Sequence, residues 1–393
     1  MKILMINTTD QSGGAANICF SLGDALKASG HEVKFLVGYK QTKRPDVDTL
    51  NFPGLLTGHH WTNRLVLYLR HLRSYISADD ISFGNGKNLF SHPWFKTADI
   101  VHIHNRHGNF ISLSAIKEVL SVKKLVWTME DVWPITKKSA IVTHPNPSQE
   151  KLLSYPPMIW WPKQRLIDQK RHFFQLGSLV LIAPSKWLQT QTEKVLHRPV
   201  KIIPHGLPMY SPDIHKINSI KQSLSLPVNK KIALFTSTKQ NAKDKGIDFF
   251  SQLAKTHHQT HEFIWVGVTK TNLPYIKTIP YQTSPKDFAN ILAIADLLIQ
   301  PSKADIFGLV VLQALALGLP VLAFDIGGVS ELITHKTTGY LAKLNDRPDL
   351  EAGFQFIAKN MRSKNTSSAK KIFLRYSLVK MADAYQKLYD ELN

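Results

Sequence analysis

Short runs of apolar residues alternate along the chain with longer stretches of helical periodicity, which is the pattern of a parallel α/β protein. Residues 2–7 predict a buried strand, and residues 33–38 predict the next one. Between them, Gly13-Gly14 begins a helix that Gly30 ends. Strand, helix and strand in this order predict a βαβ unit with a glycine turn at its first crossover.

Further apolar runs predict strands over residues 99–105, 125–128, 232–236, 263–267, 297–300 and 320–324. A polar, Pro-containing segment, residues 208–229, interrupts this alternation once. We therefore predict two α/β domains, residues 1–207 and residues 208–373. A final segment, residues 374–393, is predicted to be helical as far as residue 392.

Residues 297–331 combine a strand, a loop, a helix, a second strand and a second glycine loop without a break. The helix is predicted over residues 307–317, with Gly318 as its stop. Ligands of open parallel sheets bind beyond the carboxyl ends of the strands, and the first N–H groups of a helix bind anions. The loop at residues 302–308 is therefore a predicted phosphate site.

Asp305 and Gln313 are eight positions apart in this segment, which corresponds to about 12 Å along a helix at roughly 1.5 Å per residue. A sugar nucleotide has a similar reach, so one of these side chains is predicted to meet sugar hydroxyls and the other a ribose. The alternative is that Asp305 caps the helix and that Gln313 is a tolerated polar residue. The sequence leaves both interpretations open.

The composition is that of a globular protein from a reducing compartment, and we expect a cytoplasmic location. The 393 residues are enough for two or three domains, and 43% of them are hydrophobic. A single cysteine, Cys19, excludes an internal disulfide. Residues 1–14 predict a first strand rather than a secretory signal. The apolar residues 307–324 approach the length of a membrane span, but Gln313 and Pro320 divide them into a helix and a strand.

The formal charge of +20 and the isoelectric point near 9.8 indicate an anionic partner. No zinc-ligand spacing, RNA-binding aromatic signature or dense basic block accompanies this charge, so nucleic acid is not predicted as a partner. Residues 61–76 show apolar residues at helical spacing, with Arg64, Arg70 and Arg73 largely off that face. Such a helix can lie on an anionic membrane surface, or it can pack against its own core.

A longer motif extends from residue 301 to residue 331. Its elements are Pro301-Ser302, Asp305, Phe307-Gly308, Gln313, Gly318-Leu319-Pro320-Val321, Gly327-Gly328 and Glu331. This pattern resembles the donor signature of the retaining glycosyltransferases with the GT-B fold, the group 1 or GT4-like family. That family has Glu at the positions of Asp305 and Gln313. Asp keeps the charge on a shorter side chain, whereas Gln keeps a hydrogen-bond acceptor and loses the charge.

A second motif, Trp-Thr-x-x-Asp-x-Trp-Pro at residues 127–134, resembles a subgroup of this family that builds bacterial surface polysaccharides. Those relatives commonly carry His where Glu130 stands. Glu130 is predicted either to accept a hydrogen bond or act as a base, with a pKa raised by burial, or to cap the following turn. His104, at a strand end, is predicted to be either catalytic or structural. His205 replaces a frequent Asn of the family.

The resemblance also implies donor-binding roles in both domains. In the family, a glycine loop after the first strand faces the donor and acceptor, and a Lys-Gly pair clamps the donor diphosphate. The Arg that accompanies this lysine has no clear counterpart here, although Lys239 or Lys243 can supply charge without the forked geometry of a guanidinium. The implied donor-binding residues are Gly14, Lys245, Ile306, Phe307, Gly308, Leu309 and Gln313, the implied catalytic residues are Asp305 and Glu130, and the further candidates are Gly13, His104, Lys243 and Glu331.

The resemblance implies two Rossmann-like domains whose parallel sheets face each other across an interdomain site. It implies transfer of a sugar, with retention, from a UDP- or GDP-sugar to a polysaccharide or lipid-linked glycan, in the cytoplasm or at the inner face of the membrane. No cofactor is expected. Asp46-Val47-Asp48 matches the metal-binding Asp-x-Asp motif of another glycosyltransferase fold, but it lies away from the glycine sites, so metal-free catalysis is expected. The alternative is a catalytically impaired member that binds nucleotide sugar or stabilises an active partner, since Glu130, Asp305 and Gln313 all depart from the family pattern.

Overall fold

The computed structural model describes residues 1–11, 13–50, 81, 82, 84, 86–107, 110–136, 164–208, 210–361 and 366–393. These residues form two compact units. The first unit consists of Met1–Gly206 and Leu378–Asn393, and the second unit consists of Leu207–Ser377. The helix predicted at residues 61–76 lies outside the described residues.

In its described part, the first unit contains a sheet of seven strands in the order β3-β2-β1-β4-β5-β6-β7, and each neighbouring pair is parallel. The strands are β1 (Lys2–Thr9), β2 (Glu32–Tyr39), β3 (Val47–Thr49), β4 (Ile100–Ile103), β5 (Lys124–Thr128), β6 (Leu179–Ala183) and β7 (Lys201–Ile202). The four strands predicted in this region are confirmed, with ends displaced by one or two residues.

Helices connect these strands, and serine side chains begin two of them. Ser112 Oγ accepts a hydrogen bond from the Ala115 N–H (3.2 Å), and Ser185 Oγ accepts one from the Leu188 N–H (3.2 Å). The helices of the first unit are Gly14–Ala28, Gly86–Ser91, Pro93–Thr97, Leu113–Val119, Gln164–Phe174, Lys186–Leu196 and Leu378–Leu392, with a 3₁₀ turn at Trp133–Ile135.

The second unit contains, in the part of the chain that is described, a parallel sheet of six strands in the order β10-β9-β8-β11-β12-β13. The strands are β8 (Lys231–Thr236), β9 (His261–Val266), β10 (Ile276–Ile279), β11 (Leu297–Gln300), β12 (Val321–Phe324) and β13 (Gly339–Ala342). The helices are Ile214–Ser223, Ile247–His257, Pro285–Ala293, Leu309–Ala316, Val329–Leu332, Arg347–Asn360 and Thr366–Arg375. The predicted α/β class with two parallel sheets is confirmed.

Both faces of the second sheet are buried. Leu234 and Leu298 enter one hydrophobic cluster, whereas Phe235 and Ile299 enter another, and all four side chains are buried. Successive residues of a strand point to opposite faces, so each strand contributes to both clusters. A strand that is covered on both sides consists of nearly continuous apolar residues, which is why β11 was predictable to the residue.

The helix predicted over residues 307–317 begins later than expected, at Leu309, and ends at Ala316. Gly308 precedes it with a φ of 88°, a left-handed conformation that does not continue a helix. Asp305 therefore lies in a loop, and the helical rise does not give its distance from Gln313. Within the described residues, no helix combines the length and the apolarity needed to cross a bilayer.

The C-terminal helix Leu378–Leu392 also begins later than predicted, because Thr366–Arg375 is a separate helix. Its buried face packs within the first unit through two tyrosines. The Tyr385 hydroxyl hydrogen-bonds to Thr128 Oγ1 (2.6 Å). The Tyr389 hydroxyl hydrogen-bonds to His102 Nδ1 (2.7 Å). The end of the chain thus contributes to the core of the unit that contains its beginning.

Candidate functional site

The strand order of the second sheet reverses between β8 and β11. In an open parallel sheet, the loops that follow two such strands diverge and leave a crevice in which ligands bind. The loop after β8 carries Lys245, and the loop after β11 carries Asp305. Lys245 Nζ donates to Asp305 Oδ2 at 2.8 Å, with 28% and 19% of the two side chains exposed. The structure therefore brings these two predicted site residues together at the switch point.

The other carboxylate oxygen of Asp305 bonds to the backbone of its own loop. Oδ1 accepts hydrogen bonds from the Gly308 N–H (2.8 Å) and the Phe307 N–H (3.3 Å). The N-cap position of the following helix is Gly308, which has no side chain to cap it. Asp305 thus stabilises the loop before the helix rather than capping the helix itself, and it holds Lys245 at the same time.

Two close backbone approaches fix this loop. A Cβ on Gly246 would overlap the carbonyl oxygen of Pro301, and a Cβ on Gly327 would overlap that of Asp305. Both glycines also have positive φ, 85° and 49°. The second glycine loop of the motif therefore packs directly on the Asp305 loop, which explains why the sequence requires glycine there.

The helix Leu309–Ala316 begins at this crevice. Its first internal hydrogen bond runs from the Leu312 N–H to the Gly308 carbonyl at 2.9 Å. The preceding N–H groups of Leu309 and Val310 have no partner within the helix, and the helix dipole places partial positive charge beside them. Together with the Lys245 ammonium, this arrangement is suited to a diphosphate.

The other predicted site residues of the second unit differ in how far their side chains are buried. Phe307 is buried, with its ring 6.0 Å from that of Tyr376. Ile306 and Gln313 are half-buried, and Gln313 lies one turn into the helix. Lys243 and Glu331 are exposed. Glu331 closes the turn of the second glycine loop through its N–H, which donates to the Gly328 carbonyl (3.2 Å).

The first sheet reverses its order between β1 and β4, and Gly13 and Gly14 follow β1. Gly13 has a φ of 94° and is the N-cap residue of the helix Gly14–Ala28. The first hydrogen bond of this helix runs from the Asn17 N–H to the Gly13 carbonyl (3.1 Å). Both glycines are exposed. The structure therefore places a second helix N-terminus at the switch point of the first unit, as the glycine turn predicted.

Glu130 lies between two imidazoles, and almost all of its side chain is buried. Oε1 is 2.9 Å from His104 Nδ1, and Oε2 is 3.2 Å from His205 Nε2. Burial raises the pKa of Glu130, but the charge of His205 and the hydrogen bonds from both imidazoles outweigh it and lower that pKa to about 2. The prediction that burial raises the pKa of Glu130, so that it acts as a base, is therefore wrong. The sequence did not show that two histidines contact this carboxylate.

The next residue, Asp131, makes the exposed pair that sequence reasoning missed. Its Oδ1 accepts from the Trp133 N–H at 2.8 Å, so Asp131 rather than Glu130 caps the turn. Its Oδ2 is 2.6 Å from His107 Nε2, with 42% of the histidine and 19% of the aspartate side chain exposed. The only signal in the sequence was that Asp131 belongs to the second motif.

The Asp46-Val47-Asp48 segment takes part in ion pairs on the first unit. Asp46 pairs with Arg44 (2.8 Å) and with Lys27. Asp48 Oδ2 lies 3.3 Å from His92 Nε2. The hydrogen bonds from Arg44 lower the pKa of Asp46 well below its usual value. Both carboxylates thus have protein partners within the described residues.

Solved structures share this fold across nearly the whole chain. Sucrose-phosphate synthase of Thermosynechococcus elongatus has a TM-score of 0.69 at 16% identity and covers 99% of this chain and 98% of its own. HepE of Anabaena, solved in complex with UDP-glucose, has a TM-score of 0.69 at 16% identity and covers 100% of both chains. At this identity the likeness shows the fold.

Curated relatives include a putative colanic acid biosynthesis glycosyl transferase, WcaC, of Escherichia coli. It is 24% identical over 85% of this chain and 85% of its own length. N-acetyl-alpha-D-glucosaminyl L-malate synthase of Bacillus anthracis is 29% identical over 33% of this chain and 34% of its own. The chain spans about a fifth to two fifths of the length of the first curated relatives that it matches.

Two family models match the chain, one in each half. Residues 217–371 match Glycosyl transferases group 1. Residues 12–209, just over half of the chain, match Glycosyltransferase Family 4. The first of these ranges contains the Lys245 and Asp305 loops, and the second contains the glycine turn at Gly13 and the buried Glu130. The chain therefore belongs to glycosyltransferase family 4, with the GT-B fold.

Proposed function

We propose that this protein transfers a sugar from a nucleotide-sugar donor to a glycan acceptor, and that the second unit binds the donor. The observation that carries the proposal is the Lys245–Asp305 pair at the switch point, beside the N-terminus of Leu309–Ala316. HepE was solved with UDP-glucose, and pneumococcal GtfA with UDP and GlcNAc. A diphosphate fits a cation beside N–H groups that have no partner within the helix, and we propose a UDP- or GDP-sugar as the donor.

During transfer, the bond between the anomeric carbon and the diphosphate oxygen breaks, and its electron pair leaves with the nucleoside diphosphate. Negative charge develops on that diphosphate, and preorganised donors at this point lower the barrier. Lys245 and the N–H groups of Leu309 and Val310 supply such donors without a metal ion. Gln313 offers its amide to the ribose, and Asp305 holds Lys245 in place. We further propose that the anomeric configuration is retained.

The acceptor is proposed from the names of the relatives. WcaC is described as acting in colanic acid biosynthesis, TuaC of Bacillus subtilis in teichuronic acid biosynthesis, and WaaG in lipopolysaccharide biosynthesis. A polysaccharide or lipid-linked glycan is therefore the acceptor class that we propose. The positive charge of the chain is consistent with work in the cytoplasm at an anionic inner membrane surface.

A thermal-shift screen with UDP, GDP, ADP and their glucose and mannose conjugates tests donor binding. A ligand of the folded state raises the melting temperature, and we expect Lys245→Met to lose this rise because the diphosphate loses its cation. Lys255→Met is the matched control, since Lys255 is exposed near the far end of the helix that follows Lys245. Nucleoside diphosphate release from the same conjugates, with and without EDTA, tests turnover and metal independence. No rise with any conjugate contradicts the proposal.

One observation favours the second candidate, a protein that binds nucleotide sugar without efficient turnover. Both carboxylate oxygens of Asp305 bond to groups of the protein, and Gln313 lacks the charge of the family's Glu. A melting temperature that rises with a conjugate, together with no release of nucleoside diphosphate, would establish this candidate. Release at a measurable rate would exclude it.

A further inference from the structure

The second unit contains a cavity of about 500 Å³ that lies away from the crevice between the Lys245 and Asp305 loops, the donor crevice. Pro320 and Thr338 line this cavity, and they directly precede β12 and β13, whereas the Asp305 loop follows the carboxyl end of β11. Because all strands of this sheet are parallel, the cavity lies at the opposite edge of the sheet. Its volume is within the usual range of small-molecule sites, roughly 300–1,000 Å³.

Several polar groups that line the cavity are not used by the protein itself. The hydroxyls of Thr337, Thr366 and Ser367 make no hydrogen bond to another described residue. Asn360 also lines the cavity, and its Nδ2 donates to the Phe356 carbonyl at 3.0 Å, which leaves its Oδ1 as an acceptor. A hydroxyl can both donate and accept a hydrogen bond. The lining therefore offers several hydrogen-bonding partners to a ligand that carries hydroxyls.

The remaining lining is largely apolar. Leu319 and Pro320 are buried beside the cavity, and Ile372 is half-buried. None of the described lining residues is aromatic, so a nucleobase would find no ring on which to stack. A sugar ring presents hydroxyls at its rim and CH groups on its faces. Hydroxyls around an apolar floor match that pattern, and we expect a carbohydrate to fit this cavity better than a nucleotide.

The charge at the cavity comes from Lys336. Among the described lining residues it is the one charged side chain, and no carboxylate in the described part of the chain pairs with it. Its Nζ lies 6.0 Å from the centre of the Tyr340 ring and 5.8 Å from that of Phe356. Its backbone is fixed by the N–H, which donates to the Gly339 carbonyl at 2.7 Å. An ammonium without a carboxylate partner favours an anionic group on the ligand.

We propose that this cavity is a second carbohydrate site and that it binds a sugar carrying a carboxylate or a phosphate group. Lys336 donates to the acidic group. The hydroxyls of Thr337 and Ser367 bond to hydroxyls of the sugar, and the CH groups of the sugar pack against Leu319 and Pro320. The assignment of a carbohydrate rests on the proposed function, whereas the preference for an acidic ligand rests on Lys336 alone.

Isothermal titration of the full chain with four probes tests the ligand class. The probes are D-glucuronic acid, glucose 6-phosphate, glucose and inorganic phosphate. We expect the two acidic sugars to bind with a Kd about tenfold lower than that of glucose or of phosphate, because they combine a charge-assisted hydrogen bond with the hydrogen bonds of the sugar hydroxyls. Equal Kd values for glucose and the acidic sugars would overturn the role of Lys336. Phosphate that binds as tightly as glucose 6-phosphate would overturn the assignment of a carbohydrate.

Substitutions at exposed positions of the lining test the two parts of the site separately. Lys336→Met should raise the Kd of both acidic sugars about tenfold and leave that of glucose unchanged, because only the charge-assisted bond is lost. The double variant Thr337→Ala/Ser367→Ala should raise the Kd of all three sugars about tenfold and leave that of phosphate unchanged. All three side chains are exposed, so the fold does not depend on them. Lys255→Met is the matched control and should bind every probe as the wild type does.

Lys245→Met distinguishes this cavity from the donor crevice. Glucose 6-phosphate should bind to Lys245→Met as tightly as to the wild type, and Lys336→Met should keep the thermal shift with UDP or GDP. Binding of glucose 6-phosphate that is lost in Lys245→Met and kept in Lys336→Met would belong to the donor crevice and would overturn the second site. No heat with any of the four probes would also overturn it, while a thermal shift with a nucleotide sugar would leave the proposed function standing.

Discussion

Replacing Glu130 with Gln tests whether the first unit depends on a buried anion. Gln has nearly the shape of a protonated Glu, so the substitution removes the charge and leaves the volume. The folded protein holds the pKa of Glu130 at about 2 against a usual value of 4.5, because the charge and hydrogen bonds of His205 and His104 outweigh the opposing effect of burial. At about 1.4 kcal/mol per pKa unit, this difference corresponds to about 3 kcal/mol of stability at pH 7.

The pH dependence of this contribution has a defined sign. A carboxylate whose pKa is lower in the folded state stabilises the protein fully above its unfolded pKa of about 4.5, and the contribution is lost as the pH falls through about 2. At pH 3, about 1 kcal/mol remains. The stability difference between the wild type and Glu130→Gln should therefore shrink by about 2 kcal/mol from pH 7 to pH 3.

Hydrogen exchange measured by mass spectrometry resolves this difference in each unit separately. For peptides that contain β4 and β5, we expect protection in Glu130→Gln to be lower than in the wild type by two to three orders of magnitude at pH 7, and by about tenfold at pH 3. Peptides that contain β9 of the second unit provide the internal control and should not change. Equal protection of β4 and β5 in the two proteins at pH 7, or a difference that persists undiminished at pH 3, would refute the reasoning.

Two further substitutions test other contacts. Tyr389→Phe removes the hydroxyl that bonds to His102 Nδ1 at 2.7 Å, and the buried nitrogen left without this partner should cost about 1 to 3 kcal/mol, measured as lower exchange protection of β4. Gly327→Ala places a methyl group against the carbonyl oxygen of Asp305 and should abolish the thermal shift with UDP or GDP. Gly177→Ala is the control and should keep that shift, because the space around its Cβ position is open. An unchanged shift in Gly327→Ala would contradict the close packing of the two loops.

The strands of the second unit illustrate what local pattern predicts well. β11 was predicted to the residue because its apolar run is buried on both faces and because Pro301 ends it. The helix after it was predicted two residues too early. The apolar pattern continues through Phe307, but the backbone at Gly308 turns left-handed where the second glycine loop packs against the Asp305 loop. That packing involves residues far apart in sequence, so periodicity could not show it.

In the candidate sites, too, the sequence indicated some of the residues, whereas only the structure showed which of them are in contact. The sequence pointed to Lys245 and Asp305 separately, through a family motif, but their 2.8 Å contact depends on the pairing of β8 with β11. At residues 130 and 131, the sequence singled out Glu130 and not Asp131. Glu130 is buried by His104 and His205, whereas Asp131 reaches the exposed His107. In the sequence, only membership of the second motif distinguishes Asp131 from Glu130.

By itself, the sequence determined the fold class, eight of the thirteen described strands and the glycine turns, because these depend on the spacing of apolar residues and on backbone constraints within short segments. The resemblance of its motifs to a known signature determined the family. The tertiary structure decided which carboxylates are paired, which are exposed and which pKa values change. Those properties depend on Coulomb and hydrogen-bond interactions over a few ångströms between residues that are brought together only when the sheet forms.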